Sequence, residues 1–159
     1  MEPALTSCPA CGKTNRVPAQ AAGRPRCGSC KAELPWIVAA GDADFAAVAE
    51  QSPVPVLVDF WAAWCGPCRQ FAPVYERASE AHPDIVFGKV DTEAEAQLAG
   101  AARITSIPTL MAFKDQVLVF SQPGALPAPA LEELIAAVRA LDVEAAMRDA
   151  EANRERMGA

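Results

Sequence analysis

The sequence lacks the features that mark secreted, membrane-spanning and nucleic-acid-binding proteins. Its start, MEPALTSCPACGKT, has no basic segment followed by an apolar run, so no secretory signal is predicted. No stretch approaches the roughly 20 apolar residues of a membrane helix, because Asp59 interrupts the most apolar one. A net charge of −6 argues against a general nucleic-acid surface. We therefore expect a cytoplasmic monomer that binds neither membrane nor nucleic acid.

Histidine is scarce, and cysteine occurs only in pairs. The single histidine, His82, precedes a proline and is predicted to lie in a surface loop without a catalytic role. All six cysteines fall in three Cys-x-x-Cys pairs of identical spacing: CPAC, CGSC and the CGPC of WCGPC. In a reducing cytoplasm such pairs bind metal or perform redox chemistry more often than they form structural disulfides. The surroundings of each pair must therefore distinguish their roles.

The first two pairs are predicted to bind one structural zinc ion. Fifteen residues separate CPAC from CGSC, a spacing typical of four-thiolate zinc sites. Residues 1–35 have no helical or strand periodicity. They are too short to form a stable core without a bound metal ion. Extra redox dithiols and a nucleic-acid-binding zinc ribbon are the alternatives, and oxidation of the thiolates could also release the metal as a regulatory step. The predicted ligands are Cys8, Cys11, Cys27 and Cys30.

From residue 36 onward, strand-like and helix-like patterns alternate. Short apolar runs predict strands at 36–40, 54–62, 85–91, 109–113 and 117–120. Apolar residues at helical spacing predict helices at 42–51, 68–82, 93–104 and 127–141. This order indicates an α/β domain with a mixed sheet and helices on both faces. We expect a zinc module at 1–35, the α/β domain at 36–141, and a helical or disordered tail at 142–159.

The third pair follows a predicted strand and begins a predicted helix. A helix N-terminus stabilises an anion, so this position favours the reactive thiolate form of Cys65. Cys68 lies one turn further along and is expected to be more buried, where it can resolve a mixed disulfide. Asp59 lies within the apolar run VLVDFW, where burial should raise its pKa unless a partner such as Lys89 compensates. It is a candidate general base, and the alternative is a satisfied polar group of the core.

Several motifs of the chain resemble those of the thioredoxin family. VDFWAAWCGPC (Val58–Cys68) is similar to its active-site signature, and SIPTL (Ser106–Leu110) is similar to its cis-proline loop. Pro73 matches its kinked second helix, and PGA (Pro123–Ala125) approximates its glycine loop. Together with the four-cysteine extension, the chain resembles the zinc-binding thioredoxins, which implies a thioredoxin fold preceded by a small zinc-ribbon-like module.

The resemblance also implies roles for individual residues. Cys65 would be the nucleophile, Cys68 the resolving thiol, and Asp59 the buried acid–base group with Lys89 as its neighbour. The Ile107–Pro108 bond would be cis. The residues implied to line a groove for the substrate protein are Trp64, Gly66, Pro67, Ile107, Pro108 and Gly124.

The implied function is that of a protein-disulfide reductase. Thioredoxin reductase, using NADPH, would recycle the Cys65–Cys68 disulfide, so no bound organic cofactor is expected beside the zinc ion. The Gly-Pro dipeptide between the two cysteines is similar to that of the reducing members of the family. A binding role, as a holdase or an assembly subunit with an incidental dithiol, is the alternative from another functional class.

Overall fold

The structure is a computed structural model that describes residues 4–19 and 24–158. The parts of the predicted zinc module at 1–3 and 20–23 lie outside the described residues, as does the last residue of the predicted tail. Within the described ranges, every helix is too short or too polar to cross a membrane. The elements are β1 (Ala4–Ser7), β2 (Thr14–Val17), β3 (Ile37–Ala39), a π-helical turn (Ala46–Glu50), β4 (Val56–Trp61), α1 (Gly66–Ala81), β5 (Val86–Asp91), α2 (Ala96–Ala101), β6 (Thr109–Lys114), β7 (Val117–Pro123), α3 (Ala128–Ala140) and α4 (Val143–Gly158).

The main sheet has five strands in the order β3-β5-β4-β6-β7. The first three strands run parallel to one another, whereas β6 and β7 run antiparallel to their neighbours. The central strand β4 is buried along nearly its whole length, as a continuous apolar run requires. The mixed α/β sheet predicted from the sequence is therefore confirmed.

Side chains of β4 alternate between two apolar clusters on opposite faces of the sheet. Val56, Val58 and Phe60 belong to the cluster that includes the π-helical turn. Leu57 belongs to the other cluster, together with Tyr75 of α1 and Leu131 of α3. Asp59 is two residues from Leu57 and therefore lies on the face that α1 and α3 cover. This places Asp59 beneath the helix that begins with the third cysteine pair.

The N-terminal segment shares its core with the α/β domain. Strands β1 and β2 form an antiparallel hairpin, and the buried Val17 and Leu34 belong to the same apolar cluster as Trp36 and Val38. The Trp36 indole N–H donates to the Pro18 carbonyl at 3.0 Å. The segment is therefore packed against the sheet as part of one interior.

Two predicted helices are shorter than expected, and the turns that precede them are hydrogen-bonded to each other. Residues 42–44 form a turn before the π-helical turn, and α2 begins only at Ala96. Asp42 accepts a hydrogen bond from the Leu98 N–H at 2.8 Å, and Glu95 accepts one from the Asp42 N–H at 3.0 Å. Asp42 thus caps the first turn of α2 from a distant segment, in the place of a side chain of the helix itself. A Cβ at Gly41 would lie 2.3 Å from the Glu95 carboxylate, so a larger residue there would displace the end of the Glu95 side chain.

Two further regions of the fold can be compared with the expectations. The segment after α3 forms the helix α4, which is exposed apart from the buried Val143 and the half-buried Ala145. His82 follows α1 directly and lies outside any helix or strand, as expected of a loop residue, but its side chain is half-buried. Its Nε2 lies 2.7 Å from a Glu132 carboxylate oxygen, and its Nδ1 lies 2.8 Å from an Arg139 nitrogen. Helix α3 therefore fixes this side chain.

Candidate redox site and metal centre

Cys65 and Cys68 lie at the junction between β4 and α1. Cys65 is the N-cap of α1, with an extended backbone (φ −82°, ψ 112°), and its Sγ accepts a hydrogen bond from the Cys68 N–H at 3.2 Å. Pro67 occupies the first turn, where its missing N–H costs nothing. The two cysteines form a disulfide, with Cα atoms 5.2 Å apart. Both are buried, 4% and 3% exposed, so the expected difference in their burial is absent.

An open pocket of about 400 Å³ adjoins the Cys65 sulfur. The side chain of Trp64 forms part of its wall, although Trp64 itself is 67% exposed. Five residues singled out from the sequence meet here, together with Ser106 of the SIPTL motif. Ile104 and Thr105, which precede that motif, were not singled out. The lining residues are Trp64, Cys65, Gly66, Pro67, Thr92, Ala99, Ile104, Thr105, Ser106 and Ile107.

The other two predicted groove residues, Pro108 and Gly124, are hydrogen-bonded to each other and do not line this pocket. The Ile107–Pro108 peptide bond is cis, and the Ile107 carbonyl oxygen lies 3.7 Å from the Cys65 sulfur. The Gly124 N–H donates to the Pro108 carbonyl at 2.8 Å. Gly124 has φ +108°, which favours glycine. The proline loop and the glycine loop are thus hydrogen-bonded to each other next to the disulfide.

Asp59 is a buried carboxylic acid without a hydrogen-bond partner among the described residues. It is 1% exposed, and neither of its carboxylate oxygens is hydrogen-bonded. Burial raises the pKa of Asp59 from 3.8 to about 7, while the charge of Lys89 acts in the opposite direction. A carboxyl group with this pKa can take up or release a proton near neutral pH.

Lys89 is the neighbour of Asp59 in the sheet but does not form an ion pair with it. The two residues face each other in the register of β4 and β5. The Lys89 ammonium instead lies over the ring of Trp61, 4.9 Å from its centroid, at a distance typical of cation–π contacts. The lysine therefore influences Asp59 through its charge, without satisfying either oxygen.

The four remaining cysteines converge on one point. All four sulfur atoms lie within 4.8 Å of one another, and two pairs between the knuckles, Cys8 with Cys30 and Cys11 with Cys27, are 3.6 Å apart. A tetrahedral site with Zn–S bonds of about 2.3 Å has edges of about 3.8 Å. The donor set and its spacing therefore fit a closed four-thiolate metal site with no position left for a substrate.

The two cysteine knuckles have the same backbone hydrogen bonds. Cys8 N–H donates to the Lys13 carbonyl and Cys27 N–H to the Ala32 carbonyl, each bond spanning five residues. Each knuckle also contains one residue in the left-handed region, Gly12 at φ +77° in the first and Lys31 at φ +67° in the second. Glycine adopts this conformation freely, but lysine does so at a cost.

Asn15 links the two knuckles and was not singled out from the sequence. Its side-chain N–H₂ group donates to the Lys13 carbonyl at 2.9 Å and to the Cys27 sulfur at 3.5 Å. Its side-chain oxygen accepts from the Gly28 N–H at 3.0 Å. Hydrogen bonds from the Cys30 main chain, and then from Asn15 and Ser29, lower the pKa of Cys27 to about 6 despite its burial. The thiolate that a metal requires is thereby favoured.

Comparison with known proteins agrees with this geometry. The sequence model of the Thioredoxin family matches residues 36–137. The chain is 64% identical over 89 residues to a Streptomyces coelicolor protein named "Putative thioredoxin 2", covering 56% of this chain and 66% of that relative's length. It is 40% identical over 122 residues to Thioredoxin C-3 of Corynebacterium nephridii, covering 75% of this chain and 84% of that protein. A solved thioredoxin from Malassezia sympodialis superimposes with a TM-score of 0.59 at 32% identity, covering 65% of this chain and 91% of that one.

Proposed function

The chain belongs to the thioredoxin family of thiol–disulfide oxidoreductases, and on that premise we propose that it reduces disulfides in other proteins. The observation that carries this proposal is the Cys65–Cys68 pair at the N-terminus of α1, next to an open pocket and above the buried Asp59. The other four cysteines converge on a separate cluster that could hold a metal ion, which leaves this pair free to react.

The proposed reaction transfers two electrons in two exchange steps. The Cys65 thiolate attacks one sulfur of the substrate disulfide, which forms a mixed disulfide and releases the other substrate sulfur as a thiolate. Asp59 accepts the proton of Cys68, whose thiolate then attacks the Cys65 sulfur. The second substrate sulfur leaves as a thiolate, so the substrate is reduced and Cys65–Cys68 is oxidised. The pKa of about 7 for Asp59 supports its role as the proton acceptor.

The oxidised protein must then be reduced again for a second cycle. We propose that thioredoxin reductase supplies the two electrons from NADPH, as the resemblance implies, and that the reaction takes place in the cytoplasm. The extended segment of the substrate protein would lie along Trp64, Gly66, Pro67 and the Ile107–Pro108 loop, with Gly124 at the edge.

We also propose that the four-thiolate site holds one structural zinc ion. The thiolate donors and their tetrahedral spacing support zinc, a metal for which such closed sites are typical. Zinc would supply folding free energy to a hairpin that has little core of its own. In the reduced, zinc-loaded protein two thiols should react with a thiol reagent, and all six should react after chelation.

Insulin reduction with dithiothreitol tests the proposed activity. The wild-type protein should accelerate precipitation of the insulin B chain, and Cys65→Ser should abolish that acceleration. Cys68→Ser should accumulate mixed disulfides between Cys65 and substrate proteins, because this variant lacks the thiol that would displace the substrate. Full activity of Cys65→Ser would instead favour the binding role, in which the dithiol is incidental.

A further inference from the structure

Tyr75 is a buried polar residue that the proposed reaction does not use. It belongs to α1 and is completely buried. Its hydroxyl donates to the carbonyl of Gly88 in β5 at 2.8 Å. Its ring belongs to the apolar cluster between the sheet and the helices α1 and α3, which is the face of the sheet on which Asp59 lies. Tyr75 and Asp59 are therefore on the same side of the sheet.

The carbonyl that Tyr75 contacts is also the partner of Asp59 in the sheet. In a parallel ladder, every second residue of a strand directs both its N–H and its carbonyl to the same neighbouring strand. The Trp61 carbonyl accepts from the Thr92 N–H, on the side of β5. Asp59 lies two residues earlier in β4 and faces the same side, so its N–H donates to the Gly88 carbonyl in the observed register. The N–H of Asp59 and the hydroxyl of Tyr75 thus meet at one oxygen atom.

The ring of Tyr75 is fixed, but its hydroxyl hydrogen can turn. The ring centroid lies 5.5 Å from that of Phe71 and 5.1 Å from that of Phe87, at distances typical of packed aromatic pairs. Rotation about the C–O bond redirects the hydrogen without moving the ring. Burial, and then the negative charge of Asp59, raise the pKa of Tyr75. The phenol therefore remains a hydrogen-bond donor at neutral pH.

Asp59 needs a hydrogen-bond donor when it is ionised. Neither of its carboxyl oxygens has a partner among the described residues, and the Lys89 ammonium lies over the Trp61 ring. A buried carboxylate without a donor is costly. The Gly88 carbonyl can release the Tyr75 hydroxyl, because it retains the bond from the Asp59 N–H. A hydrogen bond to a charged acceptor is also about twice as strong as one to a neutral acceptor, so ionisation of Asp59 favours a turn of the hydroxyl toward the carboxylate.

We propose that Tyr75 is a positioning residue for the proton transfer: its hydroxyl donates to the Asp59 carboxylate when Asp59 is ionised, and to the Gly88 carbonyl when Asp59 is protonated. This inference rests on the proposed function. The donation stabilises the base form of Asp59, which must be present before Asp59 can accept the proton of Cys68. Once that proton has been transferred, the hydroxyl returns to Gly88, as in the structure. Lys89 of β5 favours the same base form through its charge.

Tyr75→Phe keeps the ring and removes only the hydroxyl. The variant loses a bond to a charged acceptor when Asp59 is ionised, but only a weaker neutral bond when Asp59 is protonated. The pKa of Asp59 should therefore rise by about 1. At pH 7 the ionised fraction of Asp59 should fall from about one half to about one tenth. The pH midpoint of the step in which Cys68 attacks the mixed disulfide should rise with it.

Titration of the Asp59 carboxyl carbon tests the contact without any need for activity. In the oxidised protein, labelled with ¹³C at the aspartate carboxyl groups, the Asp59 resonance is assigned by its absence from Asp59→Asn. Ser79→Ala is the matched control, because it removes another hydroxyl of α1, one that donates to the Glu76 carbonyl of the same helix. The pKa of Asp59 should rise by about 1 in Tyr75→Phe and stay unchanged in Ser79→Ala.

Reaction of the reduced, zinc-loaded protein with the chromogenic disulfide dithionitrobenzoate tests the role in the reaction. Attack by Cys65 releases one thionitrobenzoate and leaves a mixed disulfide, and attack by Cys68 on that disulfide releases the second. The pH midpoint of the second release should lie about one pH unit higher in Tyr75→Phe than in the wild type. In the Asp59→Asn background, Tyr75→Phe should leave the second release unchanged, because the hydroxyl acts through Asp59.

An Asp59 pKa that is equal or lower in Tyr75→Phe would overturn the inference. A pH midpoint of the second release that does not move would also overturn it, as would an equally large change in the Asp59→Asn background. A wild-type protein that released no second thionitrobenzoate, or that failed to accelerate insulin reduction, would instead refute the proposed function. The carboxyl titration would still decide whether Tyr75 donates to Asp59.

Discussion

Replacing Asp59 by asparagine should change how the stability of the protein depends on pH. The pKa of Asp59 is raised from 3.8 to about 7 in the folded state, so between these values the folded protein binds a proton that the unfolded chain has lost. The free energy of unfolding therefore falls as pH rises from about 4 to 7 and stays level above that. At about 1.4 kcal/mol per pH unit, the full effect is up to about 4 kcal/mol.

Urea unfolding of the oxidised protein, followed by circular dichroism, measures this effect. Between pH 5 and pH 8 the wild type should lose about 2–3 kcal/mol relative to Asp59→Asn, because asparagine does not titrate. The difference between the two proteins is the quantity of interest, since the metal site and all other titrating groups are common to both. Asp149→Asn, at an exposed position of α4, is the matched control and should keep a constant offset from the wild type.

Parallel pH profiles for the wild type and Asp59→Asn would refute this reasoning. They would mean that the carboxyl group finds a partner in the folded protein, or that water reaches it. The result would also remove the support that its raised pKa gives to a role as the proton acceptor for Cys68.

Three further predictions concern the metal site and the end of α3. Asn15→Ala should weaken metal retention by about 10- to 100-fold, measured by competition with a chelator, because the variant loses the amide that donates to Cys27. Lys31→Gly should raise the free energy of unfolding by about 0.5–1 kcal/mol, since glycine adopts φ +67° freely, and Gly12→Ala should lower it by about 1 kcal/mol. Lys114→Met should cost about 1–2 kcal/mol, because its ammonium donates to three carbonyls at the C-terminal end of α3, each at 2.8 Å.

Each of these predictions has a control in the same chain. Asn153→Ala on the exposed helix α4 should leave metal retention unchanged, and an equal loss there would contradict the role of Asn15. Lys13→Gly changes a lysine whose backbone is not in the left-handed region, so a gain as large as that of Lys31→Gly would contradict the argument from strain. A Lys114→Met protein with wild-type stability would show that solvent can replace the ammonium.

The sequence predicted those features that a short segment determines by itself. The 15-residue spacing of two cysteine pairs, the apolar run of β4 and the proline after Cys65 each have a local signature, and the sheet and the start of α1 follow from them. The hydrogen bond between Asp42 and Glu95 has no local signature, since the two residues are 53 positions apart. The hydrogen bond from the Trp64 indole N–H to the Glu93 carboxylate has no local signature either, since these two residues are 29 positions apart.

A second kind of feature depends on a choice between neighbours. Lys89 was expected to pair with Asp59, and the register does bring the two together. The ring of Trp61, at the end of β4, is also within reach, and the Lys89 ammonium lies over it. The sequence contains both alternatives, and only the side-chain geometry at the strand end selects one of them.

The shared interior of the hairpin and the sheet bears on how such a chain can change over generations. A segment attached through a linker can be gained or lost in one step, because nothing else in the protein has to adjust. Here Val17 and Leu34 occupy the same apolar cluster as Trp36 and Val38, so deleting the extension would leave an apolar patch in water. A lineage that loses the cysteine knuckles must therefore also replace the apolar residues around Trp36. A lineage that gains the knuckles must already have an apolar surface against which they can pack.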